Sequence, residues 1–304
     1  MSVSKLSTVA AIDCGTNSIR ILISDEGKEV IREMEIVKLG EGVDKTKNFS
    51  PAAVERTLSA LRRFKRLIDE HGVTQVRFCA TSATRDAQNR EIFTGPVQSI
   101  LGVAPEVIAG TEEAKLSFLG ATAEMSAGQG PFLVVDIGGG STEFVLGDES
   151  VSAARSVDIG CVRMTERHFK NDPPTSNEII LAQKDINRAI DLVEEIVPIR
   201  SAKTLVAVAG TATTVAAAAL RLSKYDRDLI HGARISTEQT QEISQWLLQL
   251  TNIERAALGY MHPGRVEVIA AGSLVLAEIM KRTGAVEFIA SERDILDGIV
   301  ATLK

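Results

Sequence analysis

Two stretches of the sequence repeat one pattern, Val9-Ala-Ala-Ile-Asp13-Cys-Gly15-Thr-Asn-Ser-Ile-Arg-Ile-Leu-Ile23 and Leu133-Val-Val-Asp136-Ile-Gly138-Gly-Gly-Ser-Thr-Glu-Phe-Val-Leu146. Each copy has an apolar run, an aspartate with a glycine two positions later, a small polar turn and a second apolar run. Such a pattern is typical of a β-hairpin. Because the second aspartate follows the first by 123 residues, the sequence predicts two domains of like design.

The chain outside these hairpins alternates between helical and strand patterns, which predicts the α/β class. A helix is expected after Ser50-Pro51, where serine caps the helix and proline presets its first φ, and Gly72 ends it. Gly128 and Gly130-Pro131 mark the domain boundary. We therefore expect domains at 1–126 and 127–304, with the last helix a candidate to pack back on the first domain. Other predicted elements are strands at 73–80, 104–109, 204–209 and 286–290, helices at 89–101, 111–125, 265–281 and 294–303, a helix from Ser176, and a capping box of Ser236 with Gln239.

Length and composition exclude several classes of protein. The 304 residues are enough for two domains with a cleft between them, and 44% hydrophobic and 24% charged residues exclude a largely disordered or fibrous chain. A formal net charge of −6 argues against broad binding to nucleic acid. The sequence shows neither a membrane span nor a signal core, and its three cysteines are far apart. We expect a cytoplasmic protein that binds neither nucleic acid nor membrane.

The turn of the second hairpin is the strongest candidate for a ligand site. Its consecutive glycines allow backbone N–H groups to point at one spot, because glycine tolerates positive φ and close ligand approach. Carboxylates stand at both ends of the loop, at Asp136 and Glu143. The loop therefore predicts a phosphate cradle beside a metal site. Its expected phosphate-binding residues are Gly138, Gly139, Gly140, Ser141 and Thr142.

Two further turns are candidates to bind phosphate. The turn of the first hairpin is a weak signal alone, since such turns are common, but the duplication favours binding by both hairpins. A third turn leaves a strand and opens a helix at Gly210 and Thr211, where either anion binding or tight helix–strand packing explains the glycine. Asp13 and Asp136 are placed to hold Mg²⁺ against phosphate oxygens. The candidates in the first hairpin are Gly15, Thr16, Asn17 and Ser18.

Some residues have an ordinary structural explanation when considered singly. Glu112 and Glu113 begin a predicted helix, where acidic residues favour the helix dipole. Arg85 follows a strand end, and a lone loop arginine is usually a surface residue. The four histidines show no ligand spacing. Trp246 is expected in the core.

These segments, in this order, resemble the family of exopolyphosphatases and guanosine-pentaphosphate phosphatases, within the actin, Hsp70 and sugar-kinase superfamily. The resemblance covers nearly the whole chain, and its most specific parts are the triple-glycine loop and Glu112-Glu113-Ala114. It implies two actin-like, ribonuclease H-like domains with the active site in the cleft between them. The chain resembles the short actinobacterial exopolyphosphatases, without the C-terminal helical domain of longer members. Further segments that carry the resemblance are 13–18, 80–85, 156–165, Val208-Ala-Gly210-Thr, Gly264-Arg265 and Ala271-Gly272.

The resemblance also implies roles for particular residues. Glu113 becomes the catalytic base that activates the attacking water, Asp136 and Glu143 flank the metal and the reacting phosphate, and Arg85 clamps phosphate oxygens. The implied metal ligands are Asp13, Asp136 and Glu143, and the implied cofactor is Mg²⁺ or Mn²⁺.

The function that the resemblance implies is removal of terminal phosphates from inorganic polyphosphate by a homodimeric hydrolase. One alternative is the 5′-phosphohydrolase of guanosine pentaphosphate (pppGpp), with the same site. The others are a non-hydrolytic sensor of a phosphorylated ligand and, ranked below it, a sugar kinase or actin-like ATPase.

Overall fold

The computed structural model describes residues 8–126 and 128–303. These residues pack as two compact units, one with the described residues up to Gly120 together with those from Ile295, the other running from Ala121 to Asp294. The strands are β1 (Val9–Cys14), β2 (Ser18–Asp25), β3 (Lys28–Ile36), β4 (Gln75–Ala80), β5 (Glu106–Val107), β6 (Phe132–Ile137), β7 (Thr142–Gly147), β8 (Val151–Val157), β9 (Thr204–Val208), β10 (Arg234–Ser236) and β11 (Glu287–Ala290). The helices are α1 (Val43–Thr46), α2 (Pro51–Glu70), α3 (Ser82–Asp86), α4 (Glu91–Leu101), α5 (Gly110–Thr122), α6 (Cys161–His168), α7 (Ser176–Glu194), α8 (Ala209–Ala219), α9 (Arg227–Ile230), α10 (Thr237–Gln249), α11 (Asn252–Ala256), α12 (Ile269–Thr283) and α13 (Ile295–Ala301).

The first unit contains a five-stranded mixed sheet in the order β3-β2-β1-β4-β5. Strands β1, β2 and β3 form an antiparallel meander, and β4 and β5 continue the sheet parallel to β1. Asp13 lies near the carboxyl end of β1, beside Cys79 of β4. Because the carboxyl ends of parallel strands meet at one edge, the turn after β1 and the loop after β4 lie at the same edge of the sheet.

The second unit repeats this arrangement. Its sheet has the order β10-β11-β9-β6-β7-β8, with β6, β7 and β8 as the meander, β9 and β11 parallel to β6, and β10 added antiparallel at the edge. Both units thus contain three antiparallel strands followed by two parallel ones in the same spatial order. The predicted α/β class with two domains of like design is confirmed.

The second helix shows how the local sequence specifies an element. The Ser50 hydroxyl accepts the N–H of Ala53, and Pro51 occupies the first helical position, where its missing N–H costs nothing. One face of α2 is apolar and buried, with Leu61 and Phe64 fully inaccessible. Gly72, at φ +60°, lies just beyond the end of the helix. The predicted helix is confirmed with its start and its stop.

The closing helix belongs to the first unit. Ile295, Leu296 and Ile299 of α13 join a buried cluster with Val9 and Ala11 of β1. The unit boundary falls between Gly120 and Ala121, near the end of α5, whereas the prediction placed it between residues 126 and 127.

Some elements differ from the sequence expectations. The third strand of each meander, β3 and β8, was not anticipated; β3 has no buried residue and no alternation of buried and exposed positions that its sequence could signal. Trp246 is 39% exposed, so its expected place in the core was wrong. The helix expected from residue 265 begins at Ile269, because Pro263–Arg265 forms a separate 3₁₀ turn. Among the described residues, no helix is both long enough and apolar enough to cross a membrane.

Candidate active site

The turn after β1 is anchored by its own backbone. The Gly15 N–H donates to the Ser18 carbonyl at 2.9 Å, and the Thr16 carbonyl accepts the N–H of Gly40 at 2.8 Å. The Thr16 hydroxyl hydrogen-bonds with that of Ser82 at 3.0 Å, and both side chains are buried. The candidate phosphate-binding residues 15–18 therefore form one rigid turn next to the loop after β4, and their binding of phosphate stays a prediction.

Asp13 is paired with an arginine that the sequence reasoning missed. Arg20 of β2 lies directly across the ladder from Asp13 and donates to its Oδ2 atom from Nε at 3.0 Å and from Nη2 at 2.6 Å. The aspartate side chain is 6% exposed and the arginine 19%. The repeat contained the signal, because Arg20 and Glu143 occupy the same position in the two hairpins.

Glu113 and Arg85 are brought together at the same edge of the first sheet. The Arg85 Nη1 atom donates to Glu113 Oε2 at 2.7 Å and to the Ile108 carbonyl at 3.0 Å. The Glu113 side chain is only 11% exposed, whereas Glu112, on the same helical turn, is 47% exposed and pairs with Arg77. An acidic helix start therefore accounts for Glu112, while Glu113 is buried and held by a guanidinium. A clamp of phosphate by Arg85 stays a prediction, and its observed contact is with Glu113.

The triple-glycine loop rests on the start of α6. The Gly139 carbonyl accepts the N–H groups of Val162 and Arg163 at 2.9 and 3.1 Å, and the Gly140 carbonyl accepts Arg163 Nε at 2.7 Å. With the carbonyls engaged there, the N–H groups of Gly139 and Gly140 make no hydrogen bond within the described chain. Those two donors are the ones that a bound anion would use.

The reason given for the glycines from the sequence was partly wrong. None of Gly138, Gly139 and Gly140 has a positive φ. What matters is close packing: a Cβ on Gly160, at the N-cap of α6, would lie 2.3 Å from the Gly139 carbonyl oxygen, and one on Gly138 would lie 3.2 Å from that of Ser141. Close approach of the loop to α6 therefore accounts for Gly160, and positive φ accounts for none of the three loop glycines.

The two carboxylates of the second hairpin face each other. Asp136 and Glu143 are directly opposite in the β6–β7 ladder, so their side chains share one face of the sheet. Glu143 Oε1 accepts the hydroxyls of Ser141 at 2.7 Å and Ser156 at 2.6 Å, and the Thr142 hydroxyl donates to the Ile159 carbonyl. The Ser141 and Thr142 hydroxyls thus have protein partners, and a role for these residues in binding phosphate stays a prediction.

The third turn is built around Arg265. The Arg265 Nη1 atom donates to the Gly210 carbonyl at 2.8 Å and to the Thr214 hydroxyl at 3.0 Å. A Cβ on Gly210 would lie 2.1 Å from the guanidinium carbon, so the glycine makes room for this side chain. Ala209, just before it, has φ +65°, an unusual conformation for a residue with a side chain. Packing against arginine, not against a strand, accounts for Gly210, and phosphate binding by Gly210 and Thr211 stays a prediction.

A half-buried acid lies beside this turn. Burial raises the pKa of Glu292, which accepts a hydrogen bond from the Tyr225 hydroxyl, and burial also raises the pKa of Tyr225. Neither residue was a sequence candidate, because their contact joins positions 67 residues apart.

The thiols are poor nucleophiles. Burial raises the pKa of Cys161 to about 11 and that of Cys79 to about 12, and burial with the nearby Asp13 raises the pKa of Cys14 well above its usual value. All three are therefore protonated at neutral pH, which disfavours covalent catalysis by a thiolate.

Comparison with known proteins identifies the class of enzyme to which this fold and these turns belong. The model of the Ppx/GppA phosphatase family matches residues 21–303, and the chain belongs to this family. It is 45% identical over 315 aligned positions to exopolyphosphatase 2 of Mycobacterium tuberculosis, covering 98% of this chain and 99% of that protein. The predicted family is confirmed.

A solved structure and a more distant relative complete the comparison. The crystal structure of an exopolyphosphatase-like protein superposes with a TM-score of 0.95 at 44% identity, covering 97% of this chain and 98% of that one. The guanosine-5′-triphosphate,3′-diphosphate pyrophosphatase of Aeromonas salmonicida is 28% identical over 277 positions, covering 90% of this chain and 54% of that protein.

Proposed function

We propose that this chain is an exopolyphosphatase, which hydrolyses the terminal phosphate of inorganic polyphosphate and releases orthophosphate. The observation that carries the proposal is the buried Glu113 carboxylate, held at 2.7 Å by Arg85 at the carboxyl edge of the first sheet. Similarity to a protein named exopolyphosphatase 2 over nearly the whole length of both chains supports it.

Residues of each unit are suited to a part of phosphoryl transfer to water. Glu113 orients the attacking water and accepts its proton as the water oxygen bonds to the terminal phosphorus. Arg85 fixes the direction of that carboxylate through its bonds to Glu113 and to the Ile108 carbonyl. The bridging P–O bond breaks, and the shortened polyphosphate keeps the bridging oxygen. In the second unit, the N–H groups of Gly139 and Gly140 are suited to bind phosphoryl oxygens, on which charge accumulates in the transition state.

The donor set of the second hairpin suits a hard divalent cation. No group of three or more histidine, cysteine or acidic side chains converges anywhere in the described ranges. Mg²⁺ does not need one, since it binds through one or two carboxylates, water and substrate phosphates. Asp136 and Glu143, opposite each other in the ladder, would hold Mg²⁺ or Mn²⁺, which would neutralise phosphate oxygens. Asp13 already has a guanidinium partner, so it is the weaker candidate.

A second candidate function is the 5′-phosphohydrolase reaction on pppGpp. The observation that favours it is the 28% identical Aeromonas salmonicida relative, whose name describes action on a guanosine nucleotide. The same water and the same carboxylate serve both reactions, so the two differ only in what lies beyond the reacting phosphate. The relative with higher identity places polyphosphate first.

Substitution of Glu113 by glutamine tests the proposal. We expect Glu113→Gln to lower kcat for polyphosphate by about 10²–10⁴-fold, because the amide cannot take the proton, while polyphosphate binding persists. Glu112→Gln is the matched control on the same helical turn, and we expect its kcat to change less than about threefold. Phosphate release is measured with Mg²⁺ from short and long polyphosphate and from pppGpp.

The outcomes separate the candidates. Preferred release from pppGpp would replace polyphosphate as the substrate. Tight binding of all three compounds with no release from any would replace the enzyme by a phosphate-ligand sensor. Equal loss in both glutamate variants would remove Glu113 from its role. The homodimer and the cytoplasmic location stay predictions, and light scattering of the purified chain checks the first.

A further inference from the structure

An open groove of about 730 Å³ lies on the first unit, and Arg85 is one of the residues that line it. One wall is α4 together with the residue before it, and the other is the short segment around β5. The Arg85 side chain therefore contacts the Glu113 carboxylate through its Nη1 atom and also faces the groove.

The α4 wall carries a line of hydrogen-bonding side chains. Arg90, Thr94 and Gln98 all line the groove and are spaced by four residues, so they lie on one face of the helix. At the rise of an α-helix, the line is about 12 Å long. The opposite wall is aliphatic, at Pro105 and Val107, and no aromatic side chain lines the groove among the described residues.

The donors along this line are available to a ligand. Within the described chain, the side chains of Thr94 and Gln98 form no hydrogen bond, and Arg90 has only a contact at 4.0 Å with Glu91. The Nε and Nη2 groups of Arg85 form none either. Donors of this kind, exposed at Arg90 and Gln98 and half-buried at Arg85 and Thr94, meet water in the free protein and can exchange it for an anion at little cost.

We propose that this groove binds the phosphates of the polyphosphate chain that lie beyond the reacting one. The inference rests on the proposed function and adds a subsite to it. A linear polyphosphate is an extended anion with acceptors at every unit, which matches donors repeated along a helix face. A nucleoside is the poorer occupant, because the groove offers no aromatic side chain on which a base could stack. Arg85 joins the subsite to the carboxylate that activates water.

One residue of the groove opposes this binding. Glu91 also lines the groove, and its carboxylate repels an anion at the Arg90 end. The subsite therefore holds the chain only moderately, which suits an enzyme that must let the shortened polymer move after each cleavage. Removal of this charge provides a second variant, which should strengthen binding of the chain where loss of Arg90 weakens it.

The test compares long-chain polyphosphate with tripolyphosphate in the full-length protein. We expect Arg90→Ala to raise KM for long chains by about three- to tenfold and to leave kcat and the KM for tripolyphosphate within about twofold. Glu91→Gln should lower KM for long chains. Arg62→Ala is the matched control, because Arg62 is equally exposed, at 49% against 48% for Arg90, and lies on α2 outside the groove.

Direct binding separates failure of the subsite from failure of the proposed function. Calorimetry with the Glu113→Gln protein should show that long chains bind more tightly than tripolyphosphate and that adding Arg90→Ala removes the difference. If the double variant still binds long chains more tightly than tripolyphosphate, or if Arg62→Ala weakens long-chain binding as much as Arg90→Ala does, the subsite is overturned. This holds even if the wild type hydrolyses polyphosphate. A wild type that binds long chains in this manner without hydrolysing them would overturn the proposed function and keep the subsite.

Discussion

Gly160 and Gly210 are both crowded, but their neighbours differ in what they can do. A Cβ on Gly160 would meet backbone atoms of Gly139 and Gly140 at 2.3–2.4 Å, whereas a Cβ on Gly210 would meet the guanidinium of Arg265. Backbone that is held by hydrogen bonds cannot move away, while the end of a long side chain can turn aside. The same substitution should therefore have different consequences at the two positions.

We expect Gly160→Ala to lower the free energy of unfolding by about 1–3 kcal/mol, the usual cost of overpacking, and to lower activity with it. The displaced loop contains the two N–H groups assigned to phosphate. Gly210→Ala is the control, with a stability change within about 1 kcal/mol. Urea unfolding and phosphate release on both variants check this. Equal stability losses would contradict this difference between a backbone neighbour and a side-chain neighbour.

Helix α7 begins with a capping box whose carboxylate is held by several donors. Glu178 accepts the N–H groups of Thr175 and Lys170 at 2.7 and 2.8 Å and the Asn171 amide at 3.0 Å. These bonds lower the pKa of Glu178 to about 2. The bond from the Thr175 N–H has the largest effect. A carboxyl whose pKa is lower in the folded state stabilises the fold when ionised in both states, and this contribution is lost as pH falls.

The free energy of unfolding should therefore lose the contribution of Glu178 as pH falls. The contribution of Glu178 is complete above its unfolded pKa, near 4.5, and disappears as pH falls towards its folded pKa of about 2. We expect Glu178→Gln to destabilise the protein at about pH 7 and to differ less from the wild type at about pH 3.5. Urea unfolding at both pH values measures the difference, with the exposed Glu195→Gln as control. A larger difference in stability between Glu178→Gln and the wild type at about pH 3.5 than at about pH 7 would contradict this role.

The elements with strong local signals were predictable. Ser50 and Pro51 indicated α2, and the Ser236 to Gln239 capping box is present at the start of α10. Strand β3 was missed because its sequence, Lys28-Glu-Val-Ile-Arg-Glu-Met-Glu-Ile36, mixes charges with apolar residues on a half-exposed surface. It exists because β2 offers backbone partners along its whole length, with one register shift between Ile23 and Ser24, and this is a property of the sheet and not of the segment.

The candidate site was predictable to the level of its turns. The duplicated hairpins identified two turns where a ligand could bind, the strand–helix turn at Gly210 was a third, and the resemblance added Glu113 and Arg85. Spacing along the chain could not show that these two residues touch, since 28 positions separate them. Nor could it show that Arg265 supports the Gly210 turn from 55 residues away. Such contacts depend on the order of strands, which only the folded chain supplies.

The molecule contains one motif twice, and one difference between the copies bears on metal binding. In the first unit Asp13 faces Arg20 across the hairpin, and in the second Asp136 faces Glu143. A carboxylate with a guanidinium is already neutralised, whereas two adjacent carboxylates repel each other and gain most from a cation. Gene duplication with this divergence would leave phosphate turns in both units but a metal site in one.

Metal affinity should therefore depend on the second unit. We expect Glu143→Gln to raise the Mg²⁺ concentration for half-maximal phosphate release by about tenfold or more, and Asp13→Asn to change it by less than about threefold. Mn²⁺ binding followed by electron paramagnetic resonance gives a readout without turnover, and circular dichroism checks that both variants fold. If Asp13→Asn weakens Mn²⁺ as much as Glu143→Gln does, the cation needs both hairpins, and the Asp13–Arg20 pair must open when it binds.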